Sequence, residues 1–193
     1  ENSFSEKFLA LAKERNLDQA LQNGLTMVVL AQTKSGKLAP YLEERRCREV
    51  FVRDPGHPIL QGLTNEDLHH WRGESDLVEP YQNASDKKPD RFFHWGNEGT
   101  VASLVLDKPK AGRFRTILDA DADLSRAALL EYRTGKGCLI FCQLDLAGRY
   151  GVDPAATRLT HNLLNYAARP EVVQIVSTYY AGGPRIQIRV DPR

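Results

Sequence analysis

The sequence predicts a single α/β domain with a largely parallel sheet and a β-hairpin at one side. Residues 25–31 (LTMVVLA) form a nearly continuous apolar run behind a helix and a glycine, which favours a strand covered on both faces. Two further apolar runs, residues 128–132 and 137–144, are separated by RTGK, a pattern typical of a hairpin. With 193 residues, the chain is long enough to bury one sizeable core.

The first 60 residues are predicted to hold three helices and two strands. Asn23 and Gly24 end the second helix, and an Asp-Pro-Gly turn ends the second strand. The predicted helices are residues 4–15, 17–22 and 42–47, and the predicted strands are residues 25–31 and 48–53.

The remainder of the chain adds strands and one long helix. Thr64 or Asn65 is expected to cap a short helix that runs to Trp71, and Asp153 with Pro154 is expected to begin a helix that ends near residue 168. Asp119, Asp121 and Asp123 are interpreted as a polar loop. The other predicted elements are a strand over 100–106, a polar surface loop over 82–91, and strands at 172–176 and 186–190. A soft boundary at Pro170 divides the chain into a main domain, 1–169, and an extension, 170–193, which we expect to begin or complete a neighbouring module.

Composition excludes several classes of function. The 26 basic and 25 acidic residues leave a net charge of +1. The chain therefore lacks the strong excess of positive charge that is typical of proteins that bind nucleic acids or membrane surfaces. No apolar run approaches the roughly 20 residues of a membrane span. We therefore expect neither nucleic acid nor a membrane span among the partners. The first residue is Glu1, so we expect the chain to be part of a longer protein.

Cysteine usage gives no disulfide framework. An odd count of three, Cys47, Cys138 and Cys142, favours small buried hydrophobic side chains. The last two lie four apart on one predicted strand, which separates them by about 13 Å and prevents a bond between them. Reduced cysteines fit a cytoplasmic protein and an exported one alike, so the compartment stays open.

Three motifs, taken in order, resemble a known family. Residues 57–63 (HPILQGL) are similar to the HP-aliphatic-x-x-GL signature of class I glutamine amidotransferase-like domains, including the ThuA-like group. Residues 130–144 resemble the hairpin that closes such domains, and residues 153–166 resemble their final helix. The resemblance implies a three-layer, flavodoxin-like fold. Together with residues 67–68, 71–73 and 95–97, the resemblance narrows to the domain appended to large bacterial glycoside hydrolases of the family two and β-galactosidase kind.

The residues that an active amidotransferase needs are missing. None of the three cysteines has the flanking glycines of a nucleophile elbow, and His161 is followed by Asn162 and Leu163 instead of the family's His-x-Glu pair. His69 and His70 are adjacent, so on a helix they would point about 100° apart and form a solvated face. We predict no catalytic residue, no metal site and no cofactor.

Candidate binding residues come from an aromatic and polar set. Aromatic faces beside polar donors suit sugar rings or a partner surface, although packing beneath the 82–91 loop is the favoured interpretation of Trp71 and Trp95. His57 is expected mainly to hydrogen-bond the turn that it starts. The candidate binding residues are His57, Trp71, Arg72, Trp95, Asn97, Gln143 and Asp145.

Two sugar-related functions remain open, beside a third possibility, a purely structural interaction domain unrelated to sugars. The first is a non-catalytic accessory or assembly domain of a bacterial carbohydrate-active enzyme, with other domains of the same polypeptide or identical subunits as partners and carbohydrate as the ligand class. Such a parent enzyme would be exported or periplasmic. The alternative is a stand-alone ThuA-like sugar-related enzyme or ligand-binding domain, with a polar pocket that contains His57 or Asp145 near the carboxyl ends of the strands.

Overall fold

The chain forms an α/β domain with a mixed, mostly open sheet and few helices. A computed structural model describes residues 17–31, 42–73, 99–109, 112–120, 122 and 124–168, together with Lys13. The strands are β1 (Thr26–Val29), β2 (Leu42–Cys47), β3 (Val50–Val52), β4 (Ala102–Asp107), β5 (Phe114–Ala120), β6 (Arg126–Thr134) and β7 (Gly137–Cys142). The helices are α1 (Leu17–Gln22) and α2 (Pro154–Ala167), and 3₁₀ turns occupy Pro58–Leu60 and Glu66–Leu68.

The sheet is mixed, whereas the sequence predicted a largely parallel one. Its path runs β1-β7-β6-β4-β2, and β5 pairs with both β6 and β3. Within the described ranges, β1 and β7 are parallel and the other five pairings are antiparallel. The connections between β5 and β6 (residues 121–125) and between β6 and β7 (residues 135–136) are shorter than the dozen or so residues that a parallel crossover needs. These two short connections therefore impose antiparallel pairing of β6 with β5 and with β7.

The predicted helix, buried strand and hairpin are confirmed. Helix α1 ends at Gln22, and Gly24 follows it with a φ of 112°, which glycine adopts without a steric penalty. All of β1 is buried. The β6–β7 turn contains Gly135, with φ 58°. At Gly137, a Cβ would lie 2.2 Å from the Leu21 carbonyl oxygen, so the hairpin packs directly on α1.

Two predicted helices are wrong. Residues 42–47 are good helix formers, yet they form β2 because Leu42 and Cys47 pair with β4, and such long-range pairing outweighs a weak local propensity. Residues 64–71 hold only the 3₁₀ turn Glu66–Leu68. The Asn65 side chain accepts a hydrogen bond from the Val52 N–H, 2.8 Å away, instead of capping a helix.

Strand β5 was not predicted, and it corrects the interpretation of Asp119. The sequence pattern placed this residue in a polar loop, but it lies in β5 and is 2% exposed. Its carboxylate pairs with Lys108 Nζ at 2.5 Å. A buried charge needs such a partner, and the partner allows an aspartate to occupy a sheet position.

The sheet buries apolar side chains on both faces. On one face, Val28 and Ile140 belong to a cluster that includes Leu159 and Leu163 of α2. On the other, Met27 and Phe141 belong to a second cluster with Leu21 of α1. Because neighbouring strand residues point to opposite faces, the near-continuous apolar runs of β1 and β7 supply both clusters.

Helix α2 begins where the sequence predicted. The carboxylate of Asp153 accepts hydrogen bonds from the N–H groups of Ala155 and Ala156 at 2.8 and 2.9 Å. Pro154 follows at the first helical position, where a missing N–H carries no penalty. The cap fixes the helix start, and with it the register of Tyr166 against the sheet.

Several predictions lie outside the described residues. These are the helix over 4–15 (except Lys13, which is helical), the surface loop over 82–91, the strands at 172–176 and 186–190, and the extension 170–193.

Candidate functional site

A buried carboxylate, Glu131, is the centre of a polar cluster. It lies in the middle of β6, and its side chain is 1% exposed. Four side chains from four parts of the fold reach it, and we call these five residues the Glu131 cluster. Its members are Glu131 and Arg133 of β6, Cys138 of β7, Tyr166 of α2, and His57, which precedes the first 3₁₀ turn.

His57 is held by the turn that it starts, as the sequence predicted. Pro58 favours extended geometry at the preceding residue, and His57 has φ −73° and ψ 131°. Its Nδ1 accepts a hydrogen bond from the Ile59 N–H at 3.3 Å, so the ring proton lies on Nε2. Nε2 then donates to Glu131 Oε2 at 2.9 Å. One ring nitrogen therefore fixes the turn and the other binds the carboxylate.

The second carboxylate oxygen of Glu131 accepts three donors. The Tyr166 hydroxyl lies 2.8 Å from Oε1, Arg133 Nε lies 2.5 Å away, and the Cys138 thiol lies 3.2 Å away. Arg133 also donates to the Tyr166 hydroxyl. The charged carboxylate is therefore well supplied with donors, as a buried anion requires.

The pKa values of the cluster keep a single negative charge on Glu131. Burial raises the pKa of Glu131, but the hydrogen bonds that it accepts and the charge of Arg133 outweigh burial and lower the pKa to about 2. Burial and the neighbouring carboxylate raise the pKa of Tyr166 to about 12. The same two causes raise the pKa of the Cys138 thiol well above its usual range. At neutral pH the phenol and the thiol are therefore protonated donors.

A second buried network surrounds Asp145. Its Oδ1 accepts from the Ser103 N–H at 3.1 Å, and its Oδ2 accepts from the Ser103 hydroxyl at 2.6 Å. Arg149 Nη1 lies 3.6 Å from Oδ2, and both side chains are 0% exposed. Asp145 and Arg149 thus form a buried ion pair within the turn before α2, and the hydrogen bonds from Ser103 to Asp145 join β4 to this turn.

The candidate binding residues are distributed over different parts of the fold. His57, Trp71, Gln143 and Asp145 are buried, and Arg72 is exposed. The Trp71 indole N–H donates to the Asp67 carbonyl at 2.9 Å. His57 and Asp145 belong to separate hydrogen-bond networks, since His57 contacts Glu131 and Asp145 contacts Ser103. Trp95 and Asn97 lie outside the described residues.

The His69–His70 pair is not on a helix face, contrary to the prediction. His69 forms an antiparallel bridge with Glu49, and His70 has a positive φ of 43°. In the part of the chain that the structure describes, no group of three or more His, Cys, Asp or Glu side chains is arranged to hold a metal ion.

The sequence contains one signal for the Glu131 cluster. Glu131 interrupts an apolar strand between Leu130 and Tyr132, and a carboxylate inside a buried strand requires partners. The sequence does not identify His57 and Tyr166 as partners, because they lie 74 and 35 positions away along the chain. Its pattern places Tyr166 only in the final helix, and Arg133 only in the turn.

Comparisons with known proteins give partial similarities. No family model matches the chain. A stretch of 57 residues is 33% identical to UDP-N-acetylmuramate–L-alanine ligase from Lactobacillus helveticus (strain DPC 4571). This stretch covers 28% of this chain and 13% of the ligase. The structure is similar to Cytoplasmic Protein STM3548 from Salmonella typhimurium, with a TM-score of 0.46 and 12% identity over 79% of this chain and 58% of that one. The chain thus matches a small part of the ligase and somewhat more than half of the solved protein.

Among the described residues, no helix is long and apolar enough to cross a membrane.

Proposed function

We propose that this chain is a non-catalytic accessory or assembly domain of a bacterial carbohydrate-active enzyme of the β-galactosidase type. Its scaffold is class I glutamine amidotransferase-like, without the Cys-His-Glu triad. One observation carries the proposal. The three cysteines are buried, and the buried imidazole of His57 makes its hydrogen bonds inside the domain. The sequence motifs at 57–63, 130–144 and 153–166 supply the link to this family.

The chemistry of the thiols supports a non-catalytic role. Nucleophilic attack requires a thiolate, which catalytic sites obtain by lowering the thiol pKa. Here burial raises the pKa of Cys142 to about 12, and burial beside Glu131 raises that of Cys138 further. All three cysteines are buried thiols that form no disulfide bond. His57, the buried imidazole, donates to a carboxylate and accepts from a backbone N–H, so it does not act as a base for a thiol.

The arrangement of the core supports the three-layer, flavodoxin-like part of the proposal. Apolar clusters cover both faces of the sheet, with α2 in one and α1 in the other. A sheet between two helical layers is the arrangement that this family would require.

The alternative, a stand-alone ThuA-like enzyme or ligand-binding domain, is less well supported. It requires His57 or Asp145 to present a polar group to a ligand. Both carry out hydrogen bonding inside the domain, to Glu131 and to Ser103 respectively. A ligand would have to displace these contacts, at the cost of leaving a buried charge without its partner.

Four measurements on the complete polypeptide that contains this chain test the proposal. Incubation with glutamine should release no glutamate, and iodoacetamide should leave Cys138 and Cys142 unmodified until the protein is unfolded. Hydrolysis of p-nitrophenyl β-D-galactoside should be present, and removal of residues 1–193 should change subunit assembly measured by light scattering. Glutaminase activity or rapid alkylation would contradict the non-catalytic role, and absence of glycosidase activity would contradict the proposed parent enzyme.

A further inference from the structure

The turn that precedes α2 holds two distant pieces of chain together. These pieces are residues 71–73 and 99–101, which we call the two stems because they flank residues 74–98. Trp71 and Gly99 form an antiparallel bridge between the stems. The chain leaves one stem at Gly73 (φ 86°) and enters the other at Gly99 (φ 71°), and both angles favour glycine. The two stems are therefore paired with each other through the bridge between Trp71 and Gly99, and we call this paired region the base.

Arg149 is the shared donor at this base. Its Nη2 lies 3.1 Å from the Gly73 carbonyl oxygen in the first stem and 3.0 Å from the Thr100 hydroxyl in the second. Its Nη1 lies 3.4 Å from the Asp145 carbonyl oxygen, and the Asp145 carboxylate balances its charge. Because the guanidinium is planar and fully buried, one rigid group bridges both stems.

The backbone of each stem has a further anchor. The Arg72 N–H donates to Asp153 Oδ2 at 2.9 Å, so the residue that caps α2 also holds the first stem. In the second stem, the Val101 N–H donates to the Cys47 carbonyl at 2.7 Å, and its carbonyl accepts from the Asp145 N–H at 2.9 Å. Residues 145–153 thus contact both stems directly.

We propose that Arg149 is a positioning residue that couples the two stems, so that they open and close as one unit. When one stem breaks its hydrogen bond to Arg149, the guanidinium that also binds the other stem becomes less firmly held, and the bridge between Trp71 and Gly99 transmits the change. Both stems are in this way fixed to the turn that precedes α2. This inference does not depend on the proposed function.

Amide hydrogen exchange in the full chain, measured by NMR, tests the coupling. Thr100→Val removes a hydrogen bond of the second stem alone, but exchange should become about tenfold faster at both Val101 and Arg72, since a hydrogen bond to a charged group is broken. Arg149→Lys should accelerate exchange at both amides more strongly, because the ammonium group of lysine does not reproduce the planar guanidinium that donates to Gly73 and Thr100. The Cys138 amide, which bonds to the Leu25 carbonyl, reports on the sheet and should keep its protection.

The control is Thr134→Val, the same change at an exposed hydroxyl that accepts from Gln22. It should leave both stem amides unchanged. Acceleration confined to Val101 in Thr100→Val would overturn the coupling, as would equal acceleration of the Cys138 amide. If Arg149→Lys does not fold, the Thr100→Val result decides alone.

Discussion

The Glu131 cluster makes a quantitative prediction about stability and pH. Glu131→Gln keeps the shape of the side chain but removes the negative charge that four donors share. Its pKa is about 2 in the folded protein, against 4.5 for an ordinary glutamate. At about 1.4 kcal/mol per pKa unit, the ionised form contributes about 3 kcal/mol to folding at pH 7.

The sign of the pH dependence follows from the lowered pKa. The contribution of the carboxylate is complete well above pH 4.5 and is lost as the pH falls through 4.5 towards 2. At pH 3 it amounts to about 1 kcal/mol by the same linkage relation. Glu131→Gln should therefore cost about 2 kcal/mol less at pH 3 than at pH 7, because the native side chain gradually loses the charge that the variant lacks.

Urea unfolding followed by circular dichroism at both pH values measures this difference. Glu49→Gln is a matched control, since that glutamate is about half exposed and its nearest partner, His69, is 4.0 Å away. The control should show a small cost at either pH. An equal cost of Glu131→Gln at pH 7 and pH 3 would refute the reasoning, because it would mean that the charge of Glu131 contributes nothing to folding.

Two further substitutions test the packing around α1 and α2. Asp153→Ala removes the cap of α2 and should lower the free energy of unfolding by about 1–2 kcal/mol. Asp153→Asn keeps a side-chain oxygen that can accept these hydrogen bonds and should cost less. Thermal unfolding measures both variants, and equal losses would contradict the capping role. Gly137→Ala places a methyl group against the Leu21 carbonyl and should cost about 3 kcal/mol. The same change at Gly56, where no atom lies within 4 Å, should be nearly neutral in the same urea titration, and similar losses at the two glycines would contradict the clash.

Local patterns predicted the elements whose own residues determine them. The β6–β7 hairpin follows from two apolar runs around a glycine turn, and α2 follows from Asp153 and Pro154. Helix α1 follows from its Asn-Gly stop. In each case the residues that decide the structure lie within a few positions of one another, so the sequence alone is sufficient.

Elements that depend on distant partners could not be predicted in this way. Strand β2 has a helical local pattern and becomes a strand only through β4. Asp119 has the sequence context of a loop residue because Lys108, its partner, is not identifiable from the sequence. The Glu131 cluster presents the same difficulty, since His57 and Tyr166 lie 74 and 35 positions away from Glu131. A buried charge can be recognised in a sequence, but its partners depend on the topology.

The pairing of β1 with β7 has a consequence for biosynthesis. Thr26 lies opposite Cys138, so the neighbour of this apolar strand is synthesised more than a hundred residues later. Ribosomes add about 5–20 residues per second, and β1 therefore waits for several seconds without that neighbour. During translation, residues 26–29 are consequently a point at which a chaperone would shield the nascent chain from aggregation.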